Sequence, residues 1–127
     1  MITADVQRAL EELRTTFGAD SVSHAEDGAG GAHVTVTGLE PGAQYGPRPV
    51  SVRFTIAFTY PASDVYPHLI SPPLVRVDGQ QLGSGLSQTN LNGTPVTQVS
   101  RRSNHWDANT DTAAIKLQKV LEWLRKS

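Results

Sequence analysis

The sequence predicts an α+β fold in which one helix at each end of the chain flanks a meander of four antiparallel strands. Three observations carry this expectation. Apolar residues recur at helical spacing near both termini, they alternate strictly with polar ones from Val50 to Tyr60, and no internal repeat or linker divides the 127 residues. Residues 1–127 therefore read as a single domain. A chain of this size buries roughly two-thirds of the surface its unfolded form exposes, so it needs neither a disulfide nor a structural metal.

From Thr3 to Phe17, Val6, Leu10, Leu13 and Phe17 fall on one helical face, and Gln7, Arg8, Glu11, Glu12 and Arg14 fill the opposite one. Thr3 suits the N-cap and Gly18 the residue that closes the helix. Val22–Glu26 and Ala32–Thr37, joined by the glycine-rich turn from Asp27 to Gly31, predict a hairpin. Gly38 to Pro49 holds three prolines and three glycines and predicts an exposed loop without core residues. Val50–Tyr60 is the strongest strand. Leu74–Val77, entered through Pro72-Pro73 and ended by Asp78-Gly79, predicts the fourth. Gly79 to Asn109 lacks any period and predicts one long polar loop. A second helix is expected from an N-cap at Thr110. Its stripe is Ala114, Leu117, Val120, Leu121 and Leu124, with Lys116, Lys119, Arg125 and Lys126 gathering positive charge toward its C-terminal end.

Composition narrows the chemistry. The chain has no cysteine, which excludes thiol nucleophiles, disulfide exchange, thiolate zinc sites and iron–sulfur ligation. Eleven Lys and Arg against twelve Asp and Glu leave a formal charge of −1, without the basic excess that binds nucleic acid through counterion release. No stretch reaches the length of a membrane span, and the N-terminus lacks the basic and apolar regions of a secretory signal, so a cytoplasmic protein is expected.

Individual side chains give weaker signals. Ser84, Ser87, Thr94, Thr97, Ser100 and Ser103 offer hydroxyls, but a serine nucleophile needs a positioned base, and the nearness of His105 and Asp107 to Ser103 in sequence does not make a triad. His24, His33, His68 and His105 lack metal-ligand spacing, so neither metal nor cofactor is expected. Gly83-Ser84-Gly85 and the glycines from Gly28 to Gly31 do not form a phosphate loop. Arg101-Arg102, followed by His105-Trp106, forms a basic-aromatic cluster suited to an acidic or C-terminal surface of a partner protein, with Trp106 itself expected in the core.

The order of elements, with Tyr60-Pro61 closing an alternating strand, Tyr66-Pro67, Pro72-Pro73 and a Trp106 ahead of the last helix, resembles that of ubiquitin-conjugating (UBC) domains. The likeness spans the whole chain. It implies a UBC-like α+β fold, in which a variant domain binds ubiquitin or a peptide noncovalently beside the sheet or in the loop region after the fourth strand. Proline suits a stiff extended crossing into a sheet edge, since it fixes φ and lacks an amide donor.

The departures bear on function. The family's His-Pro-Asn segment has Thr89-Asn90-Leu91-Asn92 as its nearest equivalent. Its thioester cysteine falls near Gly93-Thr94-Pro95-Val96, with Val96 in its place, and valine forms no thioester. Asn90 or Asn92 could stand where the family's asparagine stabilises an oxyanion, although turn formation suits both. The separation of Tyr66-Pro67 from Pro72-Pro73 is also longer than is usual. The resemblance therefore implies a noncatalytic variant domain, a protein-binding component of a bacterial ubiquitin-like modification system. Asn90, Asn92, Arg101, Arg102 and His105 are its candidate contacts, and a ubiquitin-like or activating-enzyme-like protein its partner. Two alternatives stand beside it. One is a conjugating enzyme whose cysteine has been replaced, with Ser100 the first position to suspect. The other is an interaction domain of the RWD type, without ubiquitin chemistry.

Overall fold

The computed structural model describes residues 1–103 and 105–127. The chain runs through α1 (Ala4–Phe17), β1 (Val22–Glu26), β2 (Ala32–Leu39), β3 (Val50–Ile56), β4 (His68–Ser71), β5 (Leu86–Leu91), β6 (Thr94–Val99) and α2 (Ala113–Arg125). It is an α+β fold with a helix at each end, as expected, but the antiparallel sheet has six strands and not four. Their order is β1-β2-β3-β4-β6-β5.

In α1 the capping signals act as read. Thr3 Oγ1 accepts the Val6 amide at 3.1 Å, and Gly18 leaves the helix at φ 102°. Alternate residues of the strands (Val34 and Val36, Val52 and Phe54, His68 and Ile70, Thr97 and Val99) are buried on one sheet face. They share a core with Leu10 and Leu13 of α1 and Leu117, Leu121 and Leu124 of α2, so both helices cover that face and touch each other across it. Each fully buried Val, Leu, Ile or Phe among them contributes about 1.5–3 kcal/mol through burial, whereas His68 and Thr97 are polar residues set into the same face. Among the described residues no helix covers the opposite face, with Thr35, Arg53 and Leu69.

The departures from expectation have local causes. β3 stops at Ile56, because the carbonyls of Ala57 and Thr59 accept the amides of Tyr60 and Ala62 in successive turns, leaving Phe58 58% exposed. The fourth strand precedes Pro72-Pro73 instead of following it. The prolines offer no ladder donors, so pairing ends at Ser71. Beyond them the Leu74 amide donates to Thr97 Oγ1 at 2.8 Å, and Val75 and Val77 are each 70% exposed.

The expected long loop contains the β5–β6 hairpin. Asn92 and Gly93, at φ 51° and 84°, form the two-residue turn in which both central residues are left-handed and Asn-Gly is favoured. Helix α2 begins later than expected, at an N-cap of Thr112, whose Oγ1 accepts the Ile115 amide at 3.2 Å. Tyr60 Oη accepts the Ala113 amide, also at 3.2 Å, which satisfies a second first-turn donor.

The segment from Gly38 to Pro49 does contribute to the core, contrary to expectation. Leu39 and Tyr45 are buried. Gln44 Nε2 donates to the carbonyls of Leu124, Arg125 and Ser127 at 3.0, 3.1 and 2.8 Å, serving the unpaired end of α2. Among the described residues no helix is long and apolar enough to cross a membrane.

Removing the clamp should matter to stability. Gln44→Ala is expected to lower it by about 1–2 kcal/mol, read as a lower denaturant midpoint at unchanged slope. An unmoved midpoint would mean that water serves those carbonyls equally well.

Candidate functional site

The site begins with a residue that breaks its own pattern. Lys116 sits four residues before Val120 and three after Ala113, on the buried face of α2, and is only 5% exposed. A lysine there needs a partner, because an uncompensated charge in the interior is costly. The partner is Asp64, both of whose carboxylate oxygens lie 3.2 Å from Lys116 Nζ. Ser103 completes the group. Its amide donates to Asp64 at 2.7 Å, its hydroxyl donates to Asp64 at 3.1 Å, and that hydroxyl accepts from Lys116 at 2.8 Å. Burial alone would raise the Asp64 carboxyl, but the Ser103 amide, the Lys116 ammonium and the Val65 amide outweigh it and hold the group below the ordinary carboxylate range.

This arrangement is a strut and not a nucleophilic centre. The Ser103 oxygen is engaged by the lysine ammonium, and the nearest acceptor for its proton is a carboxylate made less basic by its own donors. His105 and Asp107 do not join Ser103 in a triad. Asp107 accepts the Asn109 amide at 2.9 Å in a local turn, while His105 is exposed.

What the strut holds is the wall of a cleft of about 320 Å³, lined by Arg101, Arg102, Ser103 and His105 on one side and by Asp111, Lys119 and Trp123 among others on the other. The Arg101 guanidinium lies 4.5 Å from the Trp123 ring centroid, and that of Arg102 lies 5.0 Å from the Tyr66 ring. Such contacts are worth about 0.5–1 kcal/mol at an exposed site and orient a planar cation without neutralising it. Lys116 and Lys119 are paired with Asp64 and Asp111. Among the described residues neither Arg101 nor Arg102 has a carboxylate within ion-pair distance. The cleft thus carries two oriented, uncompensated guanidiniums.

The structure brings Arg101, Arg102 and His105 together and separates the other candidates from them. Asn90 is exposed near the tip of the β5–β6 hairpin, and Asn92 forms its turn. Val96 is 3% exposed within β6 and not at a loop surface. Ser100 follows β6, with its amide donating to the Gly85 carbonyl at 2.9 Å. The strand between Asn92 and Arg101 places them on the order of 20 Å apart. Asn104 lies outside the described residues. Trp106 is partly buried against the core, and its Nε1 donates to the Pro61 carbonyl at 2.7 Å.

Asp64, Ser103, Lys116 and His68 acquire roles that the sequence reading did not give them. Lys116 alone carried a signal, a charge set among apolar stripe positions. His68 is fully buried beside Phe54, with neither ring nitrogen hydrogen-bonded among the described residues. Burial, helped by the Lys116 ammonium and opposed by Asp64, lowers it from 6.5 to about 3. Among the described residues no three His, Asp or Glu side chains gather as a metal would require.

Compared with models of protein families, with curated proteins and with solved structures, the chain matches none.

Two outcomes follow from the buried groups. Lys116→Met strands the Asp64 carboxylate and should cost on the order of 2–4 kcal/mol, and it should also loosen the 101–103 segment, read as faster amide exchange there. His68 binds its proton near 6.5 when unfolded and only near 3 when folded, so the unfolded state holds more protons between these values. Its stabilising effect is complete above pH 6.5 and is lost as pH falls toward 3, by about 2 kcal/mol at pH 5. His68→Leu should flatten stability between pH 6.5 and 5, and an unchanged acid slope would assign it to other groups.

Proposed function

We propose that the chain is a noncatalytic, protein-binding domain of UBC-like architecture, serving a bacterial ubiquitin-like modification system. In this reading it uses the Arg101–Arg102 cleft to hold an acidic or C-terminal segment of a ubiquitin-like or activating-enzyme-like partner. The observation that carries the reading is the pair of guanidiniums stacked on Trp123 and Tyr66 with no carboxylate of their own among the described residues. A planar guanidinium so held presents its N–H fork to an incoming carboxylate at little entropic cost.

Two further features support it, the arrangement of elements and the absence of any thiol. The chain has a helix at each end of an antiparallel sheet, it contains no cysteine, and neither Val96 nor Ser100, the residues near the place of the family's thioester cysteine, offers a thiol. Binding and not bond formation suits such a surface.

The test uses a purified bacterial ubiquitin-like protein, with affinity measured by calorimetry. Arg101→Ala with Arg102→Ala is expected to weaken binding about ten-fold or more, most clearly at low salt. Unchanged affinity would remove the contact from this cleft. Recovery from a pull-down of a partner unrelated to ubiquitin or its activating enzymes would favour the RWD-type interaction domain instead.

A further inference from the structure

The two edges of the sheet are built differently. β1 carries His24 and Glu26, and Arg14 Nη2 lies 3.2 Å from His24 Nδ1, so charged and basic groups guard that margin. β5, the other edge, reads Leu-Ser-Gln-Thr-Asn-Leu and has no Lys, Pro or bulge. From Gly79 to Ser100 the sequence contains no Asp, Glu, Lys or Arg at all, in a chain that is 18% charged. Natural edges are ordinarily protected by such residues, because a bare edge offers unpaired amides and carbonyls to another strand.

The register states which groups are bare. Leu91 pairs with Thr94 across a two-residue turn, which makes that pair hydrogen-bonded, and such pairs alternate along an antiparallel ladder. The Ser100 amide bonded to the Gly85 carbonyl falls in the same series, with Ser87–Gln98 and Thr89–Val96 between. Pro95, which has no amide, sits opposite Asn90 in the other series. The backbone groups of Leu86, Gln88 and Asn90 therefore point away from β6; the Leu86 amide donates to the Gly83 carbonyl at 3.4 Å, and among the described residues the Leu86 carbonyl and both groups of Gln88 and Asn90 are left without a backbone partner. Beside them an apolar strip of Val75, Leu82 and Leu86 lines a groove of about 370 Å³, and Val75 is 70% exposed.

We propose that β5 pairs antiparallel with β5 of a second copy of this chain, forming a two-fold dimer with one continuous sheet. The axis passes through Gln88. This register sets Gln88 opposite its own copy and Leu86 opposite Asn90, so the two Gln88 residues exchange amide and carbonyl across the axis and each Asn90 amide meets the Leu86 carbonyl of the other copy. A second copy fits better than a charged partner strand, because an edge without charge offers such a strand nothing to complement and meets its own image without repulsion. The apolar strip, extended by Val75, comes to lie beside the axis and is covered there.

The experiment is sedimentation equilibrium of the full chain to about 100 μM. A monomer–dimer equilibrium in the micromolar range is expected, as is usual for a small interface. Asn90→Pro removes an outward donor without touching the β5–β6 ladder, and should raise the dimer dissociation constant about ten-fold or more. Asn90→Lys keeps the backbone donor, adds a guarding charge near the axis and should do the same, so loss of the dimer in both variants with unchanged circular dichroism supports the interface. A wild-type chain that stays monomeric throughout, or a dimer indifferent to Asn90→Lys, overturns it. Neither outcome touches the Arg101–Arg102 cleft, whose test is binding to a different protein.

Discussion

The contact between Lys116 and Asp64 is the constraint on which the rest of this end of the molecule depends. A lysine on the inner face of α2 is unfavourable by itself, and a carboxylate beneath a folded loop equally so. Together they are tolerable only if their remaining hydrogen-bonding capacity is met. Ser103 meets it with both its amide and its hydroxyl. The segment that follows β6 is therefore fixed by the electrostatic needs of a helix packed against it, and not by apolar burial of its own. Arg101 and Arg102, immediately before Ser103, inherit their positions from that anchoring.

The same anchoring divides labour in the cleft. The charges that stabilise are internal and paired, while the charges that face solvent are held by aromatic rings. Ring contacts leave the guanidinium charge intact, so the cleft keeps a positive character although the chain as a whole is slightly negative. A binding surface of this type differs from a salt-bridged one. An incoming carboxylate does not have to displace a resident carboxylate before it can bind.

Much of the fold was legible in the sequence, because periodicity reports burial. Val6, Leu10 and Leu13 with Thr3 and Gly18 place α1, and Val52, Phe54 and Ile56 place β3. The failures occur where burial does not shape the sequence. Most of β5 is exposed, so Ser87, Gln88, Thr89 and Asn90 carry no alternation, and only the Asn92-Gly93 pair marked the hairpin. Leu74–Val77 looks like a strand by composition, yet the two prolines before it end the pairing. The strut was the least legible part. Asp64 and Ser103 are far apart in the chain, and no local pattern joins them. Only the position of Lys116 among apolar residues announced that a buried partner was needed.

The contact between α1 and α2 joins residues near the two ends of the chain, and its consequence concerns time. During synthesis β1, β2 and β3 can pair with near neighbours as they emerge, since each lies next to its sequential partner in the sheet. Their inner face stays half-covered until α2 leaves the ribosome, because Leu117, Leu121 and Leu124 supply the other side of the core. The nascent domain therefore carries an open apolar sheet face through most of its translation, and closes it only with its last helix.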